Sequence, residues 1–222
     1  MSDAIAKNVA RLLAQVPEGV RLVAVSKTHA AAKIRAAYQA GLRDFAENRL
    51  QEALAKQAEL VDLTDIRWHF IGHLQKNKAK KAIAHFDWIH TIDNLALLQK
   101  LNQYASESEN KPKFCLQIKP LPDPNKFGWE IPAFLQDLPH ITQCKQLNIQ
   151  GLMTILPLGL TPQEISLAFR KIHDLQAQLN KEANFPFQLN ELSMGMSGDY
   201  ALAIAEGSTM VRIGHAIFGE RL

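Results

Sequence analysis

The side chains most able to do chemistry are one lysine, one arginine and a hydroxyl-rich turn. Lys27 ends the apolar run Leu22-Val23-Ala24-Val25-Ser26-Lys27. An amine desolvated at a strand end loses part of its preference for the charged form, and neighbouring cations push the same way. An ordinary lysine titrates near pH ~10.4, so the nucleophilic amine is scarce at neutral pH unless its surroundings lower that value. Lysines held in this way form Schiff bases with carbonyl compounds. Arg212 lies inside Met210-Val211-Arg212-Ile213-Gly214. Strand side chains alternate, so Arg212 shares a face with Met210 and Gly214, opposite Val211 and Ile213. A guanidinium among apolar neighbours calls for an acceptor or an anion. Leu192-Ser193-Met194-Gly195-Met196-Ser197 is a small, glycine-broken turn opening a helix. Backbone N–H groups in such turns hold phosphate. Each feature also has a plainer reading: a lysine reaching water, a surface arginine on an edge strand, an ordinary serine cap.

The elements around these residues alternate. A first helix carries Ile5, Val9, Leu12 and Leu13 at helical spacing, with Ser2 and Asp3 able to cap it. Strands then read at 20–26, 44–46, 66–72, 88–92, 113–119, 149–155, 188–193 and 209–213, each followed by a helical pattern or, after the last, by a short tail to Leu222. Strands alternating with helices argue for a parallel α/β fold, and eight strands are the number that closes into a (β/α)8 TIM-type barrel. The expectation is one barrel domain over residues 1–222, with an extra N-terminal helix. A doubly wound open sheet is disfavoured, because no glycine-rich fingerprint follows the first strand.

Composition excludes several classes. Hydrophobic residues at 47% supply a full core, while a net charge of +3 gives no argument for nucleic acid. The densest basic run, Lys76-Asn77-Lys78-Ala79-Lys80-Lys81, has no interleaved aromatics and reads as a solvated helix face. Cys115 and Cys144 show no metal-ligand spacing and no disulfide framework, so the expected location is the reducing cytoplasm. No leader-like segment or apolar run long enough to span a bilayer is visible. His69 and His73 are four apart, but Gly72 stands between them at a strand end, so no helix face presents them to a metal. His90 reads as a hydrogen-bonded histidine of the barrel interior.

Barrels carry their chemistry at the C-terminal ends of the strands and commonly bind phosphate after strands seven and eight. Those loops hold Ser193 to Ser197 and Gly214-His215, with Gly195 and Gly214 permitting close backbone approach. A Schiff-base lysine on the first strand, a phosphate cup at the last two and an arginine between them outline one ligand. It is a flat aldehyde bearing a phosphate, pyridoxal 5′-phosphate.

The same stretches resemble the YggS/PROSC family of pyridoxal-phosphate homeostasis proteins, whose barrel is similar to the N-terminal domain of alanine racemase. The matching segments are 22–28 (LVAVSKT), 45–52 (FAENRLQE), 68–72 (WHFIG), 151–154 (GLMT), 192–197 (LSMGMS) and 211–214 (VRIG), in order along the whole chain. The resemblance implies that Lys27 carries the cofactor as an internal aldimine. It implies that Ser193, Ser197, Gly214 and His215 hold the phosphate and that Arg212 lies by the pyridine nitrogen. Asn48 is placed near the ring, and Met194 counts with the cofactor-binding set. The sequence departs from the family pattern at Ala46, usually Gly, at His73, usually Pro, at His215, usually Thr, and at Leu156, which interrupts an Ile-Pro-Pro run. His215 removes a hydroxyl donor and leaves a backbone N–H.

Arg212 also bears on activity. A guanidinium only donates, so a pyridine nitrogen facing it stays unprotonated and the ring is a weaker electron sink. The expectation is a carrier taking part in intracellular vitamin B6 homeostasis, without dedicated catalysis. A racemase needs an acid/base on each face of its substrate, and Tyr38, Tyr104 and Tyr200 offer no obvious candidate. The alternative is a small amino-acid racemase or a Schiff-base lyase. Expected partners are the cofactor itself and pyridoxal-phosphate-dependent apoenzymes, with no DNA, no membrane and a monomeric state.

Overall fold

Short apolar strands alternate with amphipathic helices, and the strands close on one another. The computed structural model describes residues 2–220. Eight parallel strands form the barrel: β1 (Arg21–Val25), β2 (Asp44–Glu47), β3 (Arg67–Phe70), β4 (Trp88–Ile92), β5 (Lys113–Lys119), β6 (Asn148–Met153), β7 (Glu191–Ser193) and β8 (Met210–Ile213). Closure comes from β4 beside β5, where Ile89 pairs with Phe114, and from β8 beside β1, where Arg212 pairs with Val23. A two-residue segment, Trp129–Glu130, pairs with Ile118 and Lys119 and is not one of the eight barrel strands.

Alternation divides the strand residues into two shells. Val23, Val25, Ala46, Trp88, Cys115, Met153 and Met210 pack together inside. Leu22, Ala24, Phe45, Val211 and Ile213 face the helices. Helix α1 (Ser2–Gln15) buries Ile5, Val9 and Leu12 against the same layer as Ala31, Ile34 and Ala37 of α2 (Ala31–Gln39). Each large aliphatic chain buried there contributes about 1.5–3 kcal/mol. Ser2 begins α1, and its side chain, like the end of the tail at Leu222, lies outside what the structure describes.

The remaining helices are α3 (Leu50–Glu59), α4 (Ala79–His85), α5 (Leu95–Glu107), α6 (Ile131–Ile141), α7 (Pro162–Lys181), α8 (Tyr200–Ala205) and α9 (His215–Phe218). A capping box starts α7: the Glu164 N–H donates to Thr161 Oγ1, and the Thr161 N–H donates to Glu164 Oε2. Among the described residues no helix is long and apolar enough to cross a membrane.

Several boundaries differ from the sequence expectation. The strand expected over 188–193 contracts to Glu191–Ser193, because side chains of α7 capture its first part: Leu189 N–H donates to Asn180 Oδ1 at 2.9 Å and Leu189 O accepts from Gln176 at 3.0 Å. The helix expected from Ser197 begins at Tyr200. Residues 196–199 form a turn instead, closed by Met196 N–H to Asp199 Oδ1 at 2.6 Å. The helix expected over the lysine-rich run opens with a 3-10 turn over Lys76–Lys78.

Candidate functional site

Lys27 follows β1 on the parity of Val23 and Val25, so it leaves the barrel at its C-terminal mouth. The chain turns sharply after it. Thr28 has φ 68°, the one non-glycine residue in the left-handed region among the described residues. Such a conformation costs about 1–3 kcal/mol and persists where surrounding contacts enforce it. Here Thr28 N–H donates to Glu52 Oε1 at 2.6 Å, and Thr28 Oγ1 donates to Lys27 O at 2.6 Å.

A buried ion cluster stands behind this turn. Lys56 Nζ donates to Glu47 Oε1 at 2.7 Å, Glu52 Oε1 at 2.7 Å and Ser26 O at 2.9 Å. Ser26 Oγ donates to the same Glu47 oxygen at 2.6 Å. Glu47 is fully buried, and burial raises its pKa against the hydrogen bonds of Lys56 and Ser26. The cluster anchors the residues on both sides of Lys27.

Lys27, Val25, His29, Gly214, His215, Gly219 and Glu220 line one cavity of about 320 Å³. The first strand's lysine and the loop after the last strand are therefore brought together, as the sequence requires. A Cβ on Gly214 would lie 3.0 Å from Val25 O and 3.3 Å from Val25 Cβ, so the bare glycine keeps that edge open. Gly214 also caps α9, whose first N–H groups have no intrahelical acceptor.

Arg212 is 3% exposed, which rules out the surface-arginine reading. Its Nη1 donates to Ser193 Oγ at 2.7 Å and its Nη2 to Thr154 O at 2.7 Å. Burial lowers its pKa to about 10, so it stays a cation at neutral pH. The Thr154 hydroxyl is buried and has no protein partner.

The other expected site residues sit differently. Ser193 lies wholly inside the barrel and shares its hydroxyl between Arg212 and His90. Met194 faces outward into the helix-side core, with its N–H bonded to Met210 O and its carbonyl to Ser208. It thus serves the turn's packing, since strand alternation puts it opposite Ser193. Ser197 is half-buried in the turn before α8. Gly195, at φ 95°, allows that turn, and a Cβ there would lie 2.6 Å from Ala203 Cβ. Asn48 lines a second cavity of about 310 Å³ with Arg49, His73, Gln75 and Lys78, apart from the one Lys27 lines.

Sequence reasoning missed two groups. Lys56 was hidden on a helix, although its spacing from Glu52 is that of an i,i+4 ion pair. Asp44, His69 and His90 were visible as polar residues of interior parity, yet their mutual contact was not.

Comparison with known proteins shows the family and the fold. A family model described as alanine racemase, N-terminal domain, matches residues 1–222. A pyridoxal phosphate homeostasis protein of Synechocystis sp. is 52% identical over 95% of this chain and 96% of its own length. One of Pseudomonas aeruginosa is 40% identical over 98% and 96%. The structure of PipY of Synechococcus elongatus with PLP bound superposes with a TM-score of 0.92 at 51% identity, covering 97% of this chain and all (100%) of that one. An alanine racemase from E. faecalis shares the fold, with a TM-score of 0.73 at 17% identity over 99% of this chain and 58% of its own. The chain belongs to the alanine racemase N-terminal domain family, among the pyridoxal phosphate homeostasis proteins.

Proposed function

We propose that this protein holds pyridoxal 5′-phosphate on Lys27 and buffers or delivers it, without dedicated catalysis. One observation carries the reading: the amine after β1 and the glycine-opened loop after β8 line a single cavity. The residues present fit the cofactor. Gly214 leaves room that a Cβ would take, the first turn of α9 supplies N–H donors for a phosphate, and a buried cation stands two residues earlier on the same face.

When bound, the cofactor supplies an aldehyde for the amine and an electron-withdrawing ring. The chain's own residues do the rest. Lys27 provides the nucleophile, aimed by Thr28 and the Lys56 cluster. Gly214 and His215 provide backbone donors, and Ser197 a hydroxyl. Arg212 would offer only donors to a ring nitrogen held beside it, which would disfavour carbanion chemistry. Exchange with an incoming amine, which would take the place of Lys27 on the aldehyde carbon, would return Lys27 Nζ as the free amine. Delivery to apoenzymes, a monomeric state and a cytoplasmic location belong to the same reading.

The three tyrosines are engaged elsewhere. Tyr38 bonds to Asp65, Tyr104 lies under Lys80 and Lys100, and Tyr200 donates to Gln15 at 2.8 Å. A second reading, an amino-acid racemase or lyase, is favoured by His29 and His215, two imidazoles in the wall of the Lys27 cavity. Chiral analysis of alanine and serine after incubation separates the two.

The central test is optical. Purified protein given pyridoxal 5′-phosphate acquires a near-violet band, and Lys27→Ala loses it. An unchanged band in the variant defeats the assignment of Lys27.

A further inference from the structure

A continuous line of hydrogen bonds runs inside the barrel between the start of β2 and Arg212. His69 Nε2 lies 2.9 Å from Asp44 Oδ1, His69 Nδ1 lies 2.8 Å from His90 Nε2, and His90 Nδ1 lies 2.8 Å from Ser193 Oγ. Ser193 Oγ accepts from Arg212 at 2.7 Å. His69, His90 and Ser193 have no solvent exposure, so no water competes for these bonds.

The direction of every proton in this line is determined. Asp44 receives two bonds from Arg67, at 2.9 and 2.6 Å, and is ionised, hence acceptor only. His69 must then carry hydrogen on Nε2. Burial holds both imidazoles neutral, so His69 Nδ1 is an acceptor and His90 must donate from its own Nε2. His90 Nδ1 is left as an acceptor and takes the Ser193 hydroxyl proton. The lone pairs of Ser193 are then free for the guanidinium, which cannot accept. The other charged and titratable groups facing this line are Arg21, Asp87, Glu191 and Cys115, with Asp199 near Arg212.

We propose that His69 and His90 are positioning residues for Arg212: with Asp44 and Ser193 they form a one-way hydrogen-bond chain that fixes the orientation of the guanidinium at the barrel mouth. The carboxylate at one end and the guanidinium at the other polarise the bonds between them in one sense. Removing an imidazole lets the Ser193 hydroxyl rotate and releases Arg212 from one of its two acceptors. The effect on a bound cofactor rests on the function proposed above; the proton order itself does not.

Two measurements test this. In protein without cofactor, carrying 15N-labelled histidine, nitrogen spectra should show His69 and His90 as neutral rings protonated at Nε2, with neither titrating between about pH 6 and 8. A hydrogen on Nδ1 of either ring, or titration near the ordinary histidine value, overturns the chain. In protein loaded with pyridoxal 5′-phosphate, His69→Phe should shift the pH midpoint of the near-violet band by about half a unit, as should His90→Phe. His69 makes its hydrogen bonds to Asp44 and His90 and none to Arg212 or Ser193, so a role confined to packing would leave that midpoint in place; His69→Gln, which can both donate and accept, should restore it. A midpoint unmoved in folded variants overturns the positioning role. If wild-type protein forms no band, the Lys27 assignment has failed, and the nitrogen spectra alone decide for or against the chain.

Discussion

Lys56 Nζ lies 2.7 Å from Glu47 Oε1, and the second oxygen of Glu47 has no protein partner. This pair braces the segment from Ser26 to Thr28 and is sealed from solvent. Breaking such a pair from one side leaves a buried charge uncompensated, which costs about 3–5 kcal/mol. Lys56→Met should therefore lower the unfolding free energy by that order in urea titration. Glu47→Gln, which leaves a neutral amide for Ser26, should cost less.

Gly72 admits the loop after β3 to the loop after β2. A Cβ on it would lie 2.0 Å from Asn48 O, a distance that forces backbone to move. Gly72→Ala should cost about 2 kcal/mol or more and displace the Asn48 segment. Gly198→Ala, where a Cβ meets nothing within 4 Å, should stay within about 0.5 kcal/mol of the parent. Equal melting temperatures for the two variants would contradict this account.

Stability should fall steeply in mild acid. His69 and His90 are buried and held neutral in the fold, their pKa values lowered by desolvation. The unfolded chain binds protons at both once pH drops below about 6.5, while the fold does not. Each unmatched proton removes about 1.4 kcal/mol per pH unit. Urea titrations between pH 7 and 5 should show this slope, and His90→Phe should flatten it.

At lower pH Asp44 should add to the loss. Burial pushes its pKa up, but the Arg67 and His69 hydrogen bonds outweigh burial and hold it well below the usual carboxylate range. Its contribution is complete above the unfolded value near ~3.9 and disappears as pH falls through the folded one. Asp44→Asn should be less stable than the parent at pH 6, with the difference narrowing below about pH 3.9.

Gly214→Ala tests the cavity edge. The new methyl group would press on Val25, with its Cβ 3.0 Å from Val25 O. Titration with pyridoxal 5′-phosphate should give an affinity about tenfold weaker, equivalent to about 1.4 kcal/mol. An unchanged affinity would move the phosphate away from this loop.

Much of the fold was legible in the residues because its signals are local. Strand alternation has a period of two whatever the strand packs against, so Lys27 and Arg212 could be assigned the parity of Val23 and Met210 before any pairing was known. Eight strand-and-helix units implied closure, and the interior cluster of Val23, Ala46, Cys115 and Met210 is that closure. The strand ends were less legible. Whether Leu189 joins the sheet depends on Asn180, on a helix that sequence alone does not dock.

What sequence could not supply is contact between residues far apart along the chain. His69 and His90 are 21 positions apart, and His90 and Ser193 are 103 apart. Their hydrogen bonds depend on the stagger of the closed barrel, which sets the height at which each inward side chain sits. The same holds for Lys56, which reaches Ser26 across 30 positions only because α3 packs over the ends of β1 and β2. The sequence thus determined which residues face inward and which loops meet at the mouth. The tertiary structure decided which inward polar groups touch, because buried polar atoms must find partners and only three-dimensional register says which are within reach.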